Sequence, residues 1–371
     1  MRTCIYTKNE FAIADGEHIL QNFLGARWVS NDISCNEAQS LFGATIDSAL
    51  EQGLQPFRNL LGTKSGRGGN GPDLKNVNDT RGNKYHLRPG GVPHLAQPMI
   101  ATNKLGDGTH VAHITLGNMK QLGWAIAQLR EQFPTASLDI AGIKGQFTPE
   151  KQYLNDKIHL KAGIGGQEYF RGLLKAAFNL LGVNASSIAL RPCFDALRNF
   201  ILSGIGEDRN HIRWFPTPDK LAIFDLGPFD HFVGIYSQDN TVDGIVQFFG
   251  GIGHIVRLTA NYDGPEFRFG YQVNPLRDSN PAETRTPDFD PQNFPRFDDG
   301  HEKPGSDVWP IYSAIFFRLL KSHSGMASKR EISRIVDEVL LPHDGEVLSE
   351  KIIGELVEQM SKFIVTRIPR Q

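Results

Sequence analysis

The residues of this chain best suited to catalysis are an acid and a histidine near the N-terminus. Glu17 and His18 are adjacent, and two isolated cysteines, Cys4 and Cys35, lie on either side of the pair. A carboxylate can ligate a divalent metal ion, and an imidazole with a pKa near neutrality can take a proton from water. Hydrolysis of a phosphodiester uses both groups side by side. We therefore take this pair as the candidate centre of a hydrolytic site.

A basic, glycine-rich segment follows this region between residues 58 and 88. It contains seven basic residues against two acidic ones, a local excess of five positive charges. The basic residues are Arg58, Lys64, Arg67, Lys75, Arg81, Lys84 and Arg88. A flexible cationic segment can follow a phosphate backbone and displace its condensed counterions. We assign Lys64 and Arg67 to nucleic-acid binding; the alternative is a solvated surface loop that happens to be basic.

The whole chain has the composition of a soluble globular protein. Its 371 residues are 40% hydrophobic and 22% charged, which excludes a disordered or fibrous class. The length predicts two or three domains. No apolar run has the length of a membrane span, and the N-terminal residues lack the apolar stretch of a secretory signal. Three widely spaced cysteines cannot form a disulfide framework, so we expect a cytoplasmic protein with no membrane partner.

The elements that must position Glu17 and His18 are predicted from the periodicity of apolar residues. Short strands are expected at 4–6 and 11–13, and a helix at 36–50, where apolar residues recur at helical spacing. Residues 1–57 should therefore form a small unit of strands and helix. Residues 58–96 are predicted to be a basic linker or an arm that faces DNA.

Residues 97–371 are predicted to form a larger α+β domain. Amphipathic segments predict helices at 119–132, 168–181, 194–202 and 328–367. Alternating residues predict strands at 110–116, 221–224, 232–236, 242–249 and 254–258. Because the last four strands follow one another with short turns between them, we expect an antiparallel meander and an α+β fold class.

The N-terminal motifs, taken in order, resemble a known nuclease family. They are Cys4-x-x-Thr7, Glu17-His18-Ile19, Leu24-Gly25, Asn31 with Cys35-Asn36, Phe42-Gly43 and Ile46-Asp47. This order resembles the HNH endonuclease family, in the branch whose motifs are C-x-x-C, E-H-I, leucine-glycine, C-x-x-C-N and F-G. The resemblance covers roughly the first sixty residues. The rest of the chain has to be interpreted without it.

The resemblance implies a ββα-metal fold, in which a hairpin presents the acid–histidine pair and a helix adds a metal ligand. Glu17 and Asn36 would bind one divalent ion, Mg²⁺ or Mn²⁺, and Gln39, one turn further along the helix, is the alternative ligand. His18 would polarise the attacking water, and Asn31 would steady the loop that bears it. The ion would stabilise the charge on the phosphate and on the leaving 3′-oxygen.

Two substitutions separate this chain from that branch of the family. Its members hold the hairpin to the helix with a structural zinc bound by four cysteines, and Thr7 and Asp32 stand where two of these would be. Two thiolates, a hydroxyl and a carboxylate make a poor tetrahedral zinc site, so we expect no structural zinc. Both an active enzyme without zinc and a decayed one that binds without cutting agree with these changes.

The leading hypothesis from the sequence is a metal-dependent HNH-type endonuclease that hydrolyses DNA. Residues 97–371 would then supply target selection, regulation or assembly into a homo-oligomer. The alternative is a catalytically degenerate nucleic-acid-binding or protein-interaction module on the same scaffold, which the missing cysteines favour. RNA stays open as the target under either hypothesis.

Overall fold

The computed structural model describes the chain except for residues 107–109, 136–139, 149–153, 155, 216–225, 228, 277–282, 286–289, 291–293, 304–307 and 366–371. The chain divides into two compact units. The first unit comprises residues 1–72 and 161–321, and the second comprises residues 73–160 and 322–371.

Two small antiparallel hairpins and two helices begin the first unit. The strands are β1 (Arg2–Thr3), β2 (Glu10–Phe11), β3 (Glu17–His18) and β4 (Val29–Ser30). Strand β1 pairs with β2, and β3 pairs with β4. Helices α1 (Asn36–Ala44) and α2 (Ile46–Leu61) follow the second hairpin. The chain thus has a strand, strand, helix order around the Glu17-His18 pair.

The helix predicted at 36–50 is interrupted at Thr45. The backbone of Thr45 leaves the helical region, with φ −125° and ψ −79°. Gly43 and the β-branched Thr45 both have low helix propensity, which accounts for the position of the break. Helix α2 starts anew at Ile46, so that Asp47 lies in its first turn, where the helix dipole favours a negative charge.

The second unit begins with strands rather than with the predicted linker. Its elements up to residue 160 are β5 (Leu74–Asp79), β6 (Lys84–Arg88), β7 (Val92–Leu95), β8 (Met99–Lys104), β9 (His110–Thr115), α3 (Leu122–Gln132), α4 (Ile140–Gln146) and β10 (Ile158–His159). Strands β10, β5, β6 and β7 form one antiparallel sheet in that order, and β8 pairs with β9. Tyr85 and Leu87 alternate with exposed residues along β6 and are buried. This apolar alternation explains why residues 73–95 form a sheet and not an arm.

A buried helix lies at the centre of the first unit. Helix α5 (Gln167–Asn184) is followed by the short α6 (Ser186–Ala189) and by α7 (Asp195–Ser203). Every residue of α5 from Tyr169 to Gly182 is buried. Helix α5 packs against α2 on one side and, on another, against the six-stranded sheet described below, which we call the large sheet. A helix covered all round in this way forms the core of its unit.

The predicted meander is confirmed as a six-stranded antiparallel sheet. Its strands are β11 (Ile212–Trp214), β12 (His231–Gln238), β13 (Thr241–Phe248), β14 (Ile252–Thr259), β15 (Arg268–Val273) and β16 (Glu283–Arg285), in the order β11-β14-β13-β12-β15-β16. The strand predicted at 221–224 lies outside the described residues. Phe232, Ile245 and Ile255 share one face, which packs on Phe294 and Phe297.

Two long helices complete the described chain and confirm the α+β class. They are α8 (Val308–Leu340) and α9 (Glu350–Val365). The helical tail predicted from residue 328 is thus present, although α8 begins well before that point. Among the described helices, none has the length and apolarity to cross a membrane.

Residues 1–57 fold with the later part of the chain and not as a separate domain. The phenol of Tyr6 donates to Oδ1 of Asn179 at 2.5 Å, and Nε of Arg198 donates to the carbonyl oxygen of Ile5 at 2.6 Å. Ile5 and Tyr6 are almost fully buried. Because these apolar side chains need the surface of α5 and α7 to leave water, the predicted boundary at residue 57 does not coincide with that of the compact unit.

The buried histidines of the large sheet make stability depend on pH. Burial lowers the pKa of His231 and His254 from 6.5 to about 3. As the pH falls, the unfolded chain takes up these protons before the folded protein does. Stability is therefore complete above pH 6.5 and is lost as the pH falls towards 3, by ~2 kcal/mol for each histidine at pH 5.

Urea unfolding at pH 7 and at pH 5 measures this loss. The variant His254→Leu keeps an apolar side chain against Trp214 and has no imidazole to protonate. We expect it to lose less stability than the wild type on acidification. Equal losses in the two proteins would show that His254 does not contribute.

Candidate functional site

The hairpin of β3 and β4 places the side chains of Glu17 and His18 in different surroundings. Successive side chains of a strand point to opposite faces, and the two residues are neighbours on β3. The Glu17 side chain is buried, whereas that of His18 is half-buried. The pair is therefore adjacent in sequence, but its two functional groups are available for different partners.

The Glu17 carboxylate belongs to a buried ion cluster. Nζ of Lys175, on α5, lies 2.7 Å from Oε1 of Glu17 and 2.7 Å from Oδ2 of Asp47. The Lys175 side chain is only 2% exposed, and its ammonium lies 4.9 Å from the centre of the Phe42 ring. Strand β3 and helices α2 and α5 are thus joined through one ammonium group.

Neutral side chains complete the hydrogen bonding around this cluster. The amide nitrogen of Asn179 donates to Oε1 of Glu17 at 3.3 Å and to the carbonyl oxygen of His18 at 2.9 Å. The amide nitrogen of Gln21 donates to Oδ1 of Asp47 at 3.1 Å. Buried charges need such partners, because an unsatisfied charged group in the interior is strongly destabilising.

The cluster has two carboxylates for one ammonium, and the pKa values shift accordingly. Burial raises the pKa of Glu17, and the nearby Asp47 adds to this rise while Lys175 opposes it. Burial alone would lower the pKa of Lys175, but the charges of Asp47 and Glu17 outweigh it and raise that pKa. Lys175 therefore stays protonated at neutral pH.

His18 has a lowered pKa and a nitrogen without a partner. Burial, together with the positive charges of Arg67 and Lys175, lowers the pKa of His18 to about 4, and Asp47 opposes this shift. Its Nδ1 has no hydrogen-bond partner among the described residues. The imidazole is therefore neutral at physiological pH and can accept a proton.

Asn36 and Gln39 do not join Glu17 in a metal site. Oδ1 of Asn36 accepts a hydrogen bond from the backbone N–H of Asp15 at 2.8 Å. The amide nitrogen of Gln39 donates to the carbonyl oxygens of Asp15 and Ser34. Since the Glu17 carboxylate is held by Lys175, this donor set as placed does not fit the divalent ion that the resemblance implies.

The other predicted members of the site lie at the surface. Asn31 is exposed, and its carbonyl oxygen accepts a hydrogen bond from Nη1 of Arg2 at 3.5 Å. Among the hydrogen bonds of the described residues, none joins Asn31 to the His18 side chain. Within the described residues, no three His, Cys, Asp or Glu side chains are grouped as a metal site.

Of the four residues at the positions of the family's zinc ligands, Cys4, Thr7 and Cys35 lie close together and Asp32 does not. The backbone N–H groups of Thr7 and Cys35 donate to Sγ of Cys4 at 3.5 and 3.4 Å. The Thr7 hydroxyl lies 3.7 Å from Sγ of Cys35. Asp32 instead pairs with Arg2 at 2.6 Å, with its side chain 66% exposed. Two thiols and a hydroxyl without the carboxylate do not offer four zinc ligands.

The loop of residues 62–72 lies next to the hairpin and presents two cations. The backbone N–H of Gly66 donates to the carbonyl oxygen of Asn22 at 2.8 Å, and Nε of Arg27 donates to that of Gly66 at 2.9 Å. A Cβ at Gly66 would collide with the carbonyl oxygen of Ala26, so this close approach requires glycine. Lys64 and Arg67 are exposed.

The remaining basic residues of the 58–88 segment do not belong to this loop. Arg58 is buried and pairs with Glu51 at 2.7 Å, so it is a structural group. Lys75, Lys84 and Arg88 lie on strands of the sheet of the second unit, and Arg81 lies in the turn between β5 and β6. The predicted excess of positive charge is therefore divided, and the loop of residues 62–72 keeps Lys64 and Arg67.

The sequence-based interpretation gave no role to Lys175, Asn179 or Asp47. A signal for the first two was present, because Arg171, Lys175 and Asn179 recur every four residues on a helix whose other positions are mostly apolar. Such a polar stripe on a buried helix indicates fixed partners. Its partner on the hairpin was not apparent from the sequence.

Comparisons with protein-family models, with curated proteins and with solved structures give no match. The interpretation of the site therefore depends on its own geometry.

Removal of the ammonium should strongly destabilise the protein. Lys175→Met leaves two carboxylates close together without a cation, and we expect a loss of about 3–5 kcal/mol in the free energy of unfolding. Adding Glu17→Gln should restore part of this loss, because Asp47, whose side chain is 27% exposed, is then the one carboxylate left without its partner.

Urea unfolding of the wild type and of both variants measures these differences. Lys8→Met is the matched control, because Lys8 pairs with Asp195 at the surface and its removal should cost less than about 1 kcal/mol. A double variant less stable than Lys175→Met would contradict the role given to the cluster.

Proposed function

We propose that this chain is a DNA-binding protein on a hairpin-and-helix scaffold that resembles the HNH nucleases. One observation supports the proposal above the others: the loop of residues 62–72 is held against the hairpin and exposes Lys64 and Arg67. This loop contains no acidic residue. Exposed cations on an ordered, glycine-containing loop can contact successive phosphates.

The surroundings of Glu17 favour binding over metal-dependent cleavage. Its carboxylate already has an ammonium at 2.7 Å, and Asn36 has its amide oxygen on a backbone N–H. The groups that would hold a catalytic ion are therefore occupied in forming the fold. Binding by the loop uses neither of them, so the alternative of a non-cleaving module agrees better with the geometry.

Neutralising the loop should weaken binding in a salt-dependent way. We expect Lys64→Ala/Arg67→Ala to lower the affinity for duplex DNA and to reduce the slope of log K against log salt concentration by about 2. The control Lys120→Ala/Arg130→Ala removes the same charge from exposed positions of the second unit. Fluorescence anisotropy with a labelled duplex, as DNA and as RNA, measures both.

Equal loss of affinity in the two double variants would mean that overall charge, and not the loop, governs binding. Absence of wild-type binding at low salt to either duplex would reject the proposal.

An endonuclease is the second candidate function, and His18 is the residue that favours it. Its imidazole is half-buried and neutral at physiological pH, and the charge of Arg67 acts on it. A neutral imidazole beside a cation can take a proton from water that attacks a phosphodiester held by that cation. No step is assigned to a metal, because Glu17 and Asn36 are engaged elsewhere.

A plasmid assay tests the endonuclease directly. Supercoiled DNA is incubated with the protein in EDTA, in Mg²⁺ and in Mn²⁺, and nicked or linear product is measured. If the second candidate holds, the wild type nicks and His18→Ala, which removes the proton acceptor, does not. Equal inactivity of both proteins in all three conditions would leave the non-cleaving module as the function.

Two further expectations stay proposals. A cytoplasmic location is supported by Cys4, Cys35 and Cys193, which are all free thiols. Assembly into a homo-oligomer is supported by α9, which exposes Ile353 and Val357 one helical turn apart.

A further inference from the structure

Two carboxylates from different elements of the first unit converge on one buried ammonium. Nζ of Lys175 is 2.7 Å from Oε1 of Glu17 and 2.7 Å from Oδ2 of Asp47. The side chains of Glu17 and Lys175 are 7% and 2% exposed, and that of Asp47 is 27% exposed. Two carboxylates that both lie within hydrogen-bond distance of one ammonium would repel each other if that cation were absent.

A further oxygen in this cluster has no partner. The amide nitrogen of Gln21 donates to Oδ1 of Asp47, while its Oε1 is buried without a hydrogen-bond partner among the described residues. Gln21 is 5% exposed. Two carboxylates and a free amide oxygen are the ligand types of a hard divalent cation.

We propose that Lys175 is a built-in cation, which occupies the position that a divalent ion would otherwise take between Glu17 and Asp47. The protein therefore performs its function without a metal ion at this position. The inference goes beyond DNA binding and does not depend on it, because it concerns which cation the two carboxylates hold.

The surroundings of Nζ suit an ammonium better than a hydrated ion. The Phe42 ring lies 4.9 Å away, and its face attracts a cation without providing a lone-pair ligand. Mg²⁺ and Mn²⁺ keep several bound waters, and the Phe42 ring gives the waters on its side no hydrogen-bond partner, so the intact position favours the ammonium. A lysine tethered to α5 needs no such waters, and its occupancy is independent of the metal concentration.

The test is the response of thermal stability to MnCl₂ alone. The wild type should show no shift in Tm, because the ammonium already fills the position. Lys175→Ala should have a lower Tm without metal, since the carboxylates are then uncompensated. Saturating Mn²⁺ should raise the Tm of this variant by about 5 °C, because the ion binds the folded state alone.

Arg171→Ala is the matched control on the same helix. The guanidinium of Arg171 is held by the carbonyl oxygens of Ile201 and Leu202, so its removal exposes no carboxylate pair. This variant should be destabilised and should not respond to Mn²⁺. Adding Glu17→Gln to Lys175→Ala should abolish the response, since one ligand of the new site is then missing.

Three results would overturn the proposal. The first is a folded Lys175→Ala protein whose Tm does not change with Mn²⁺. The second is a rise in the Tm of Arg171→Ala with Mn²⁺ equal to that of Lys175→Ala. The third result does not depend on the folding of any lysine variant. It is an electron paramagnetic resonance signal of Mn²⁺ bound to the wild type that is lost in Glu17→Gln. Absence of DNA binding would reject the proposed function and leave these results unaffected.

Discussion

The structure of the first unit depends on one buried ammonium shared by the buried carboxylate of Glu17 and the partly exposed carboxylate of Asp47. Lys175 on the central helix holds Glu17 of the β3–β4 hairpin and Asp47 at the start of α2. A buried ammonium is strongly destabilising unless its carboxylate partners are in place. The packing of the hairpin, α2 and α5 against one another therefore depends on this ion cluster. A separate hydrogen bond fixes the backbone of His18: its carbonyl oxygen accepts from the amide nitrogen of Asn179, one turn beyond Lys175 on α5.

Much of the fold could be predicted from local periodicity. The alternation of apolar residues in 232–258 predicted the meander, and the helical spacing around Leu173 predicted α5. The unit boundaries could not be predicted in this way. Ile5 and Tyr6 form a local apolar pattern, but the surface that buries them is contributed by residues near 179 and 198, which no local signal connects to them.

The prediction of the candidate site was incomplete because local patterns do not connect residues that are far apart in the sequence. The dipeptide Glu17-His18 directed attention to the hairpin of β3 and β4. Its adjacency in sequence suggested one shared site, whereas the pleat of β3 gives the two side chains different partners. Lys175 and Asp47 are 128 residues apart, and a salt bridge over that distance leaves no pattern in a single sequence. The motifs that resemble HNH nucleases thus point to this hairpin as the candidate site, while the geometry decides which groups are free to act.

The central claim is that an ammonium, and not a metal ion, lies between Glu17 and Asp47. A crystal structure of the wild type grown in MnCl₂, with anomalous data collected at the manganese edge, tests it most directly. The account predicts Nζ of Lys175 within hydrogen-bond distance of both carboxylates and no anomalous peak between them. A manganese peak bound by Glu17 and Asp47, with the lysine side chain turned away, would contradict it.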